Sequence, residues 1–443
     1  MSGLTLPATD PGTPVSPAAP AAPRPASAPS APEVLGIYRR HVSKGRARLA
    51  SLTGAVMEVA SAGSLVWDAD GKEYLDCGGY GVFLLGHRHP RVVEAVVDQI
   101  HRHPMATRML LEPVAATAAA ELASVTPPGL ERVHFVNSGA EATETAIKLA
   151  RAHGRHRLIS AVGGYHGKTT GALAVTAKPL YQDPFRPLLP AEHVPYGDAE
   201  ALGRALAAGG PACVILEPVQ GEGGAVVPPP GYLTRVQELC AEHGAMFVLD
   251  EIQTGLGRLG SWWGADAEGL RPDVLLVGKN LSGGVIPVAA AVATPEAYAP
   301  FDKDPFLHTS TFAAAPVAMA AAAAAVATIR EEGLVERART LGDELTGRLR
   351  TALAPLLGGV VADIRGRGLL LGIEMCDEGA AGQLVMHLLE SGVLVNHSLN
   401  AHRVVRLTPP AVLTPADLDR ITDAFTSAAT VLARTSAPTK GTR

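Results

Sequence analysis

Short apolar runs separated by helical patterns dominate the middle of this 443-residue chain. Between about 90 and 330 the runs fall at 132–137, 212–219, 245–251, 273–279 and 288–294. That alternation predicts a mainly parallel sheet covered by helices on both faces, with ligands at the carboxyl ends of the strands. Asn137, Glu217, Asp250 and Lys279 fall at those ends. Earlier, 55–59 and 64–68 read as hairpin strands, with Asp70-Gly71 as a turn signal. Beyond about 330 an amphipathic helix leads into 368–374, 393–395 and 404–407, a mixed segment that predicts a smaller α+β unit. The chain thus divides into a tail (1–33), the N-terminal part of a small domain (34–89), a large ligand-binding domain (90–330), the C-terminal part of the small domain (331–435) and a second tail (436–443).

Composition narrows the function classes. The tail at 1–33 is rich in proline, alanine, serine and threonine, has Arg24 as its only basic residue and lacks a continuous apolar run, so it reads as disordered and not as a signal peptide. The most membrane-like stretch, 313–327, is mostly alanine and too short to span a bilayer; it reads as a closely packed helix with Pro316 near its first turn. A net charge of −5 without a basic stripe argues against nucleic acid. Cys77, Cys213, Cys240 and Cys376 show no metal-ligand spacing and read as buried small hydrophobes in a reducing cytoplasm, with no metal expected.

Candidate chemistry begins with Lys279 and Asp250, each ending an apolar run. An amine in a dry pocket loses part of its ammonium character and can attack a carbonyl to form a Schiff base. A carboxylate opposite it can keep a pyridinium nitrogen protonated, as pyridoxal phosphate requires to act as an electron sink. From these two residues alone a structural ion pair remains open.

Asn137-Ser138-Gly139-Ala140-Glu141 follows a strand and opens a helix, a natural phosphate cradle or an ordinary cap. Gly163-Gly164-Tyr165-His166-Gly167-Lys168-Thr169 ends like a phosphate-binding GKT loop, but Val162 stands where that loop requires glycine, which excludes a P-loop. No GxGxxG fingerprint opens a strand-turn-helix unit. Tyr165 can stack on a flat heterocycle or belong to the core. Glu217-Pro218-Val219-Gln220-Gly221-Glu222-Gly223 places two carboxylates past a strand; a glycosidase reading of them leaves Lys279 and the Ser138 turn unexplained. Asp250 and Gln253, three apart, can reach one ligand from the same turn. Thr311, before the alanine-rich helix, offers a hydroxyl to a phosphate or simply caps.

Taken together, in this order and spacing, these motifs resemble the class III pyridoxal-phosphate aminotransferases of fold type I over nearly the whole chain after the tail. The resemblance implies a seven-stranded, mainly parallel α/β sheet between helices, a small α+β domain, and pyridoxal 5'-phosphate as cofactor. It assigns Lys279 as the Schiff-base lysine, Asp250 as the partner of the ring nitrogen and Gln253 as a neighbour of the phenolic oxygen. Ser138, Gly139 and Ala140 match the phosphate turn, Tyr165 the ring-stacking aromatic, and Thr311 a threonine that reaches the phosphate of the neighbouring subunit. A homodimer with two composite sites follows.

On the substrate side the resemblance makes Arg406 a carboxylate-binding arginine, Glu222 the acid that masks it, and Tyr80 a substrate contact; a permanent structural Glu222–Arg406 pair stays open. The likeness is greatest to putrescine (diamine) aminotransferases, with ornithine and acetylornithine enzymes slightly further away. It rests on His166-Gly167-Lys168, 228–234, 305–312 and Ser398-Leu399-Asn400. Ornithine-type enzymes usually carry arginine where Lys168 stands. Ala313-Ala314-Ala315 replaces the usual Gly-Gly-Asn, and Asn280-Leu281-Ser282 follows the lysine where small apolar residues and glycine are common. The expected reaction moves the terminal amino group of a diamine, ω-amino acid or related amine to a 2-oxo acid, chiefly 2-oxoglutarate, giving glutamate. An ornithine-type or specialised biosynthetic aminotransferase, or a racemase or aminomutase on the same fold, is the alternative.

Overall fold

The computed structural model describes residues 29–435. Most of the first expected tail, and all of the second, lie outside the described residues. Its last residues are helical: Ser30 caps the helix Ala31–Ile37 through a reciprocal capping box with Glu33, whose carboxylate accepts from the Ser30 N–H at 2.6 Å.

β1 (Glu58–Ala62), β2 (Leu65–Asp68) and β3 (Glu73–Asp76) form an antiparallel meander. β1 starts later than the apolar run at 55–59 suggests, because Gly54 and Ala55 take left-handed φ values of 78° and 53° and turn the chain there. The Asp70-Gly71 turn links β2 to β3, where Asp68 Oδ1 accepts from the Asp70 and Lys72 N–H groups, each at 2.9 Å.

The central sheet contains β4 (Arg132–Val136), β5 (Arg157–Ala161), β6 (Ala191–Val194), β7 (Ala212–Leu216), β8 (Met246–Asp250), β9 (Val274–Val277) and β10 (Ala289–Ala293), in the order β4-β10-β9-β8-β7-β5-β6. β5 to β9 pair in parallel, and β10 runs antiparallel to both its neighbours. Every residue of β7 to β10 is buried, which is why these strands read as unbroken apolar runs. Side chains alternate between two cores: Phe247, Leu249, Leu275 and Val277 on one face, Met246, Val248, Val274 and Leu276 on the other. The helix Gly139–Ala152 covers the second face through Ala142, Ala146, Ile147 and Leu149.

The alanine-rich stretch forms the helix Pro316–Glu331, packed against Pro90–Arg102 and Pro113–Ala123. No helix among the described residues is long and apolar enough to cross a membrane. After the helix Leu334–Ala352 come β11 (Val361–Arg367), β12 (Leu370–Met375), β13 (Val393–Leu394), β14 (Asn396–His397) and β15 (Val404–Leu407). Four of them form an antiparallel sheet, β11-β12-β15-β14, while β13 joins the N-terminal meander parallel to β3. All four cysteines are free; Cys376 is exposed, not buried as expected, because it follows the end of β12 and its thiol donates to Asp377 Oδ2 at 3.2 Å.

Candidate active site

β8 and β9 pair in parallel with Asp250 opposite Leu276, so the two strand ends deliver Asp250 and Lys279 to one region. Lys279 adopts φ 44° at the start of a 3₁₀ turn, Lys279–Ser282. For a residue with a Cβ that conformation costs about 1–2 kcal/mol, which the packed surroundings must hold in place. Burial pushes the Lys279 amine down to about 8; Glu222, Asp250 and Glu217 oppose the fall and Arg406 adds to it. At pH 7 about a tenth of such an amine is the free base.

Asp250 is buried and accepts from His166 Nδ1 at 2.7 Å and from the Ile252 N–H at 3.0 Å. Burial works against charge on His166, but the hydrogen bond and the charge of Asp250, helped by Glu217, outweigh it and raise the imidazole above its usual range. Glu217 is itself pushed up to about 7, chiefly by desolvation, while its Oε2 accepts from the Tyr165 N–H at 3.1 Å. His166 is a site residue that sequence reasoning missed: it sits inside a quoted motif, yet no spacing links it to Asp250.

At the Ser138 turn the structure shows the helix cap. Ser138 caps Gly139–Ala152 with its Oγ accepting from the Glu141 N–H at 3.3 Å, and Glu141 Oε2 accepts in return from the N–H groups of Asn137 and Ser138 at 2.7 and 3.0 Å. The N–H groups of Gly139 and Ala140 have no acceptor among the described residues and remain free at the positive end of the helix. Gly139 has no room for a side chain, since a Cβ would lie 2.8 Å from Ile252 Cδ1.

Gln253 is buried, and its Nε2 has no partner among the described residues. It faces the turn Gly79–Gly81: a Cβ on Gly81 would meet Gln253 Nε2 at 3.6 Å and Lys279 Cδ at 3.7 Å. Tyr80, in the same turn, has φ 51° and is 61% exposed, so it stands at the rim. Arg258, fully buried and also missed from sequence, donates to Gly81 O at 3.4 Å and Leu369 O at 3.2 Å, tying this turn to the loop between β11 and β12.

Glu222 and Arg406, 4% and 0% exposed, meet at 2.5 Å. The contact is close in distance but poorly directed, so none of the three Arg406 nitrogens makes a hydrogen bond among the described residues. Glu222 Oε2 accepts instead from the Leu399 N–H at 2.8 Å. Tyr165, half-buried, has its hydroxyl raised by desolvation and by Glu222, which places it in the same surroundings. The Thr311 loop lies beside the Ser138 turn, where Asn137 Nδ2 donates to Ser310 Oγ at 3.0 Å. It lines a cavity of about 480 Å³ with Arg108, Val136, Glu141 and His308.

A family model described as Aminotransferase class-III matches residues 51–429. The chain belongs to this family. As a class III aminotransferase it has the fold type I architecture, with the seven-stranded sheet as the core of the larger lobe. It is similar to the solved ornithine aminotransferase from Toxoplasma gondii, at 33% identity over 92% of this chain and 95% of that chain, with a TM-score of 0.85. An (S)-enantioselective omega-transaminase from Thermomicrobium roseum matches at 27% identity, 92% and 100% coverage and a TM-score of 0.84. An adenosylmethionine-8-amino-7-oxononanoate aminotransferase from Methanocaldococcus jannaschii matches at 26% identity, 91% and 99% coverage and a TM-score of 0.83.

Within this aminotransferase the departures noted in the sequence have structural consequences. Lys168 Nζ lies 3.8 Å from the centre of the Tyr181 ring, a cation–π contact at the exposed edge of the site. In the Ala313-Ala314-Ala315 run, Ala314 keeps φ 56°, a conformation that glycine would adopt without strain.

Proposed function

We propose that this aminotransferase moves the terminal amino group of a diamine or ω-amino acid to 2-oxoglutarate, forming glutamate in a ping-pong cycle. The observation that carries this reading is the buried Glu222–Arg406 contact among the charged neighbours of Lys279. A pocket that accepts a carboxylate in one half-reaction and an uncharged or ammonium end in the other has to change its own charge. Arg406, whose nitrogens lack directed hydrogen bonds, can exchange Glu222 for a substrate carboxylate that offers bidentate geometry. Paired with Glu222, it is masked and a diamine end is tolerated.

The residues present fit pyridoxal 5'-phosphate, the cofactor of this family. Among the described residues Gln253 Nε2 is a buried donor with no partner, and the Gly139 and Ala140 N–H groups are free where an anion is favoured. When bound, the cofactor supplies a carbonyl that takes up the amino group and a pyridinium ring that draws electrons from the substrate carbon. Lys279 would hold that carbonyl, Asp250 the ring nitrogen, Gln253 the phenolic oxygen, Ser138 to Ala140 the phosphate, and Tyr165 the ring face. His166 orients Asp250. Lys279 Nζ, once free and neutral, takes the proton from the substrate carbon and returns it in the reverse direction. Tyr80 guards the rim.

The surface around Thr311 supports a homodimer with shared sites. Met109, Leu110 and Leu111 are 87%, 78% and 101% exposed, and Phe306 and Phe312 are 84% and 63% exposed, an apolar area suited to cover by a second copy. Thr311 lies within it and would reach the partner's phosphate. Free cysteines throughout suit a reducing cytoplasm.

A panel of diamines, ω-amino acids and ornithine, assayed with 2-oxoglutarate for glutamate, tests the assignment. Diamines and ω-amino acids should give glutamate faster than ornithine. Glutamate from ornithine alone would transfer the enzyme to the ornithine type, which the Toxoplasma gondii likeness favours; no glutamate from any donor would point to a racemase or aminomutase.

A further inference from the structure

The turn that carries Thr311 is held by groups that none of the chemistry above uses. Ser310 O accepts from the Ala313 N–H at 3.2 Å, a β-turn with Thr311 and Phe312 at its centre. Arg108 Nη2 braces both ends of that turn, donating to Ser310 O at 2.6 Å and to Ala313 O at 2.5 Å. The approach to the turn is pinned as well: Asn137 Nδ2 donates to Ser310 Oγ at 3.0 Å, Lys148 Nζ donates to Leu307 O at 2.7 Å, and Thr145 Oγ1 lies 3.0 Å from His308 Nε2. Thr311 itself is exposed and makes no hydrogen bond among the described residues. The scaffold therefore fixes the backbone and leaves the Thr311 hydroxyl unspent.

Arg108 has φ 62° and Ala314 φ 56°, two left-handed residues flanking one tightly held turn. Strain of this kind persists only where surrounding contacts over-determine it, and it concentrates at ligand clamps. We propose that Arg108 is a positioning residue, bracing the 310–313 turn so that Thr311 is presented to the cofactor phosphate of a second copy. The proposal rests on the shared-site reading above.

The test uses the full-length dimer and the variant Arg108→Gly. Glycine takes a left-handed φ without steric cost, which offsets the extra freedom it gives the unfolded chain, so the melting temperature should stay near that of the parent. The dissociation constant for pyridoxal 5'-phosphate should nonetheless rise about tenfold, the loss expected for one hydrogen bond to a charged group. Thr311→Ala should weaken binding similarly, and the double variant should be no weaker than the weaker single, because both act on one contact. Arg108→Lys, which keeps one donor, should fall between. Unchanged cofactor affinity in Arg108→Gly, or losses that simply add, would overturn the role of Arg108.

Mixed dimers separate this proposal from the reading beneath it. In a dimer of one Lys279→Ala and one Thr311→Ala protomer, sharing puts both defects in one site and leaves the other intact, so half the activity survives. A dimer of Lys279→Ala and Arg108→Gly protomers should behave in the same way. If the first mixed dimer has no intact site, the shared-site reading is wrong; if only the second has none, Arg108 serves its own site and the proposal is wrong.

Discussion

Replacing Glu222 by alanine should destabilise the cofactor-free protein and, at the same time, make it more responsive to dicarboxylates. Glu222 and Arg406 are 4% and 0% exposed and 2.5 Å apart. Removing one partner of such a pair leaves the other charge buried and uncompensated, at a cost of about 3–5 kcal/mol. Glutarate, an unreactive dicarboxylate, can re-pair Arg406, and at a hundred times its dissociation constant it should return about 2.7 kcal/mol. In the parent the same ligand must first displace Glu222, so it should stabilise less. Denaturation with and without glutarate, in parent and variant, measures the difference directly. The half-reactions should then divide. Arg406→Ala removes charge-assisted contacts worth about 1.5–3 kcal/mol, or about 10- to 150-fold in rate, and that loss should fall chiefly on the 2-oxoglutarate half. Glu222→Ala should instead slow diamines, whose distal ammonium meets an unmasked guanidinium, and favour donors with a carboxylate near the reacting amine. Single-turnover spectra follow each half separately. Equal losses in both halves for both variants, with no larger glutarate effect in Glu222→Ala, would make the pair a fixed structural one.

Lys279→Ala should abolish turnover while the chain still folds. Because burial lowers this amine from 10.5 to about 8, the charged form is penalised in the folded state; the substitution should stabilise the cofactor-free protein below about pH 8, with the gain fading as pH rises toward 10.5. In the parent, the rate at which the cofactor-free protein captures pyridoxal 5'-phosphate should rise with pH about a midpoint near 8; a midpoint near 10.5 would show an amine that burial does not perturb. Asp250→Ala should cost several orders of magnitude in rate by leaving the ring nitrogen unprotonated. It should also drop the His166 imidazole, read by NMR titration, below its ordinary value, since burial is then opposed only by the charge of Glu217, the smallest of these influences; a rate near that of the parent would reduce Asp250 to a structural anion.

Elements whose signals are local can be read directly from the order of residues. β7 to β10 are buried at every position and therefore read as apolar runs, which located the strand ends at Asp250 and near Lys279. The Ser138 turn is equally local, because a capping box needs only Ser138 and a carboxylate three residues on. β5 and β6 escape such reading: β5 opens on Arg157, and β6, at the sheet edge, contains Glu192 and His193 and buries only Val194. The tertiary structure alone decided which distant groups meet. His166 reaches Asp250 and Arg108 reaches the turn at Ser310 because strand order and loop packing bring them together, and no period along the chain records such pairings; the Glu222–Arg406 contact is expected only through the family resemblance. The same packing sets Gly221 against Gln253: a Cβ there would lie 1.6 Å from Gln253 Oε1, so a larger residue would displace that side chain. It also sets the state of Lys279: the residue type supplies an amine, but its fall to about 8 comes from desolvation, which depends on what surrounds the ammonium in three dimensions.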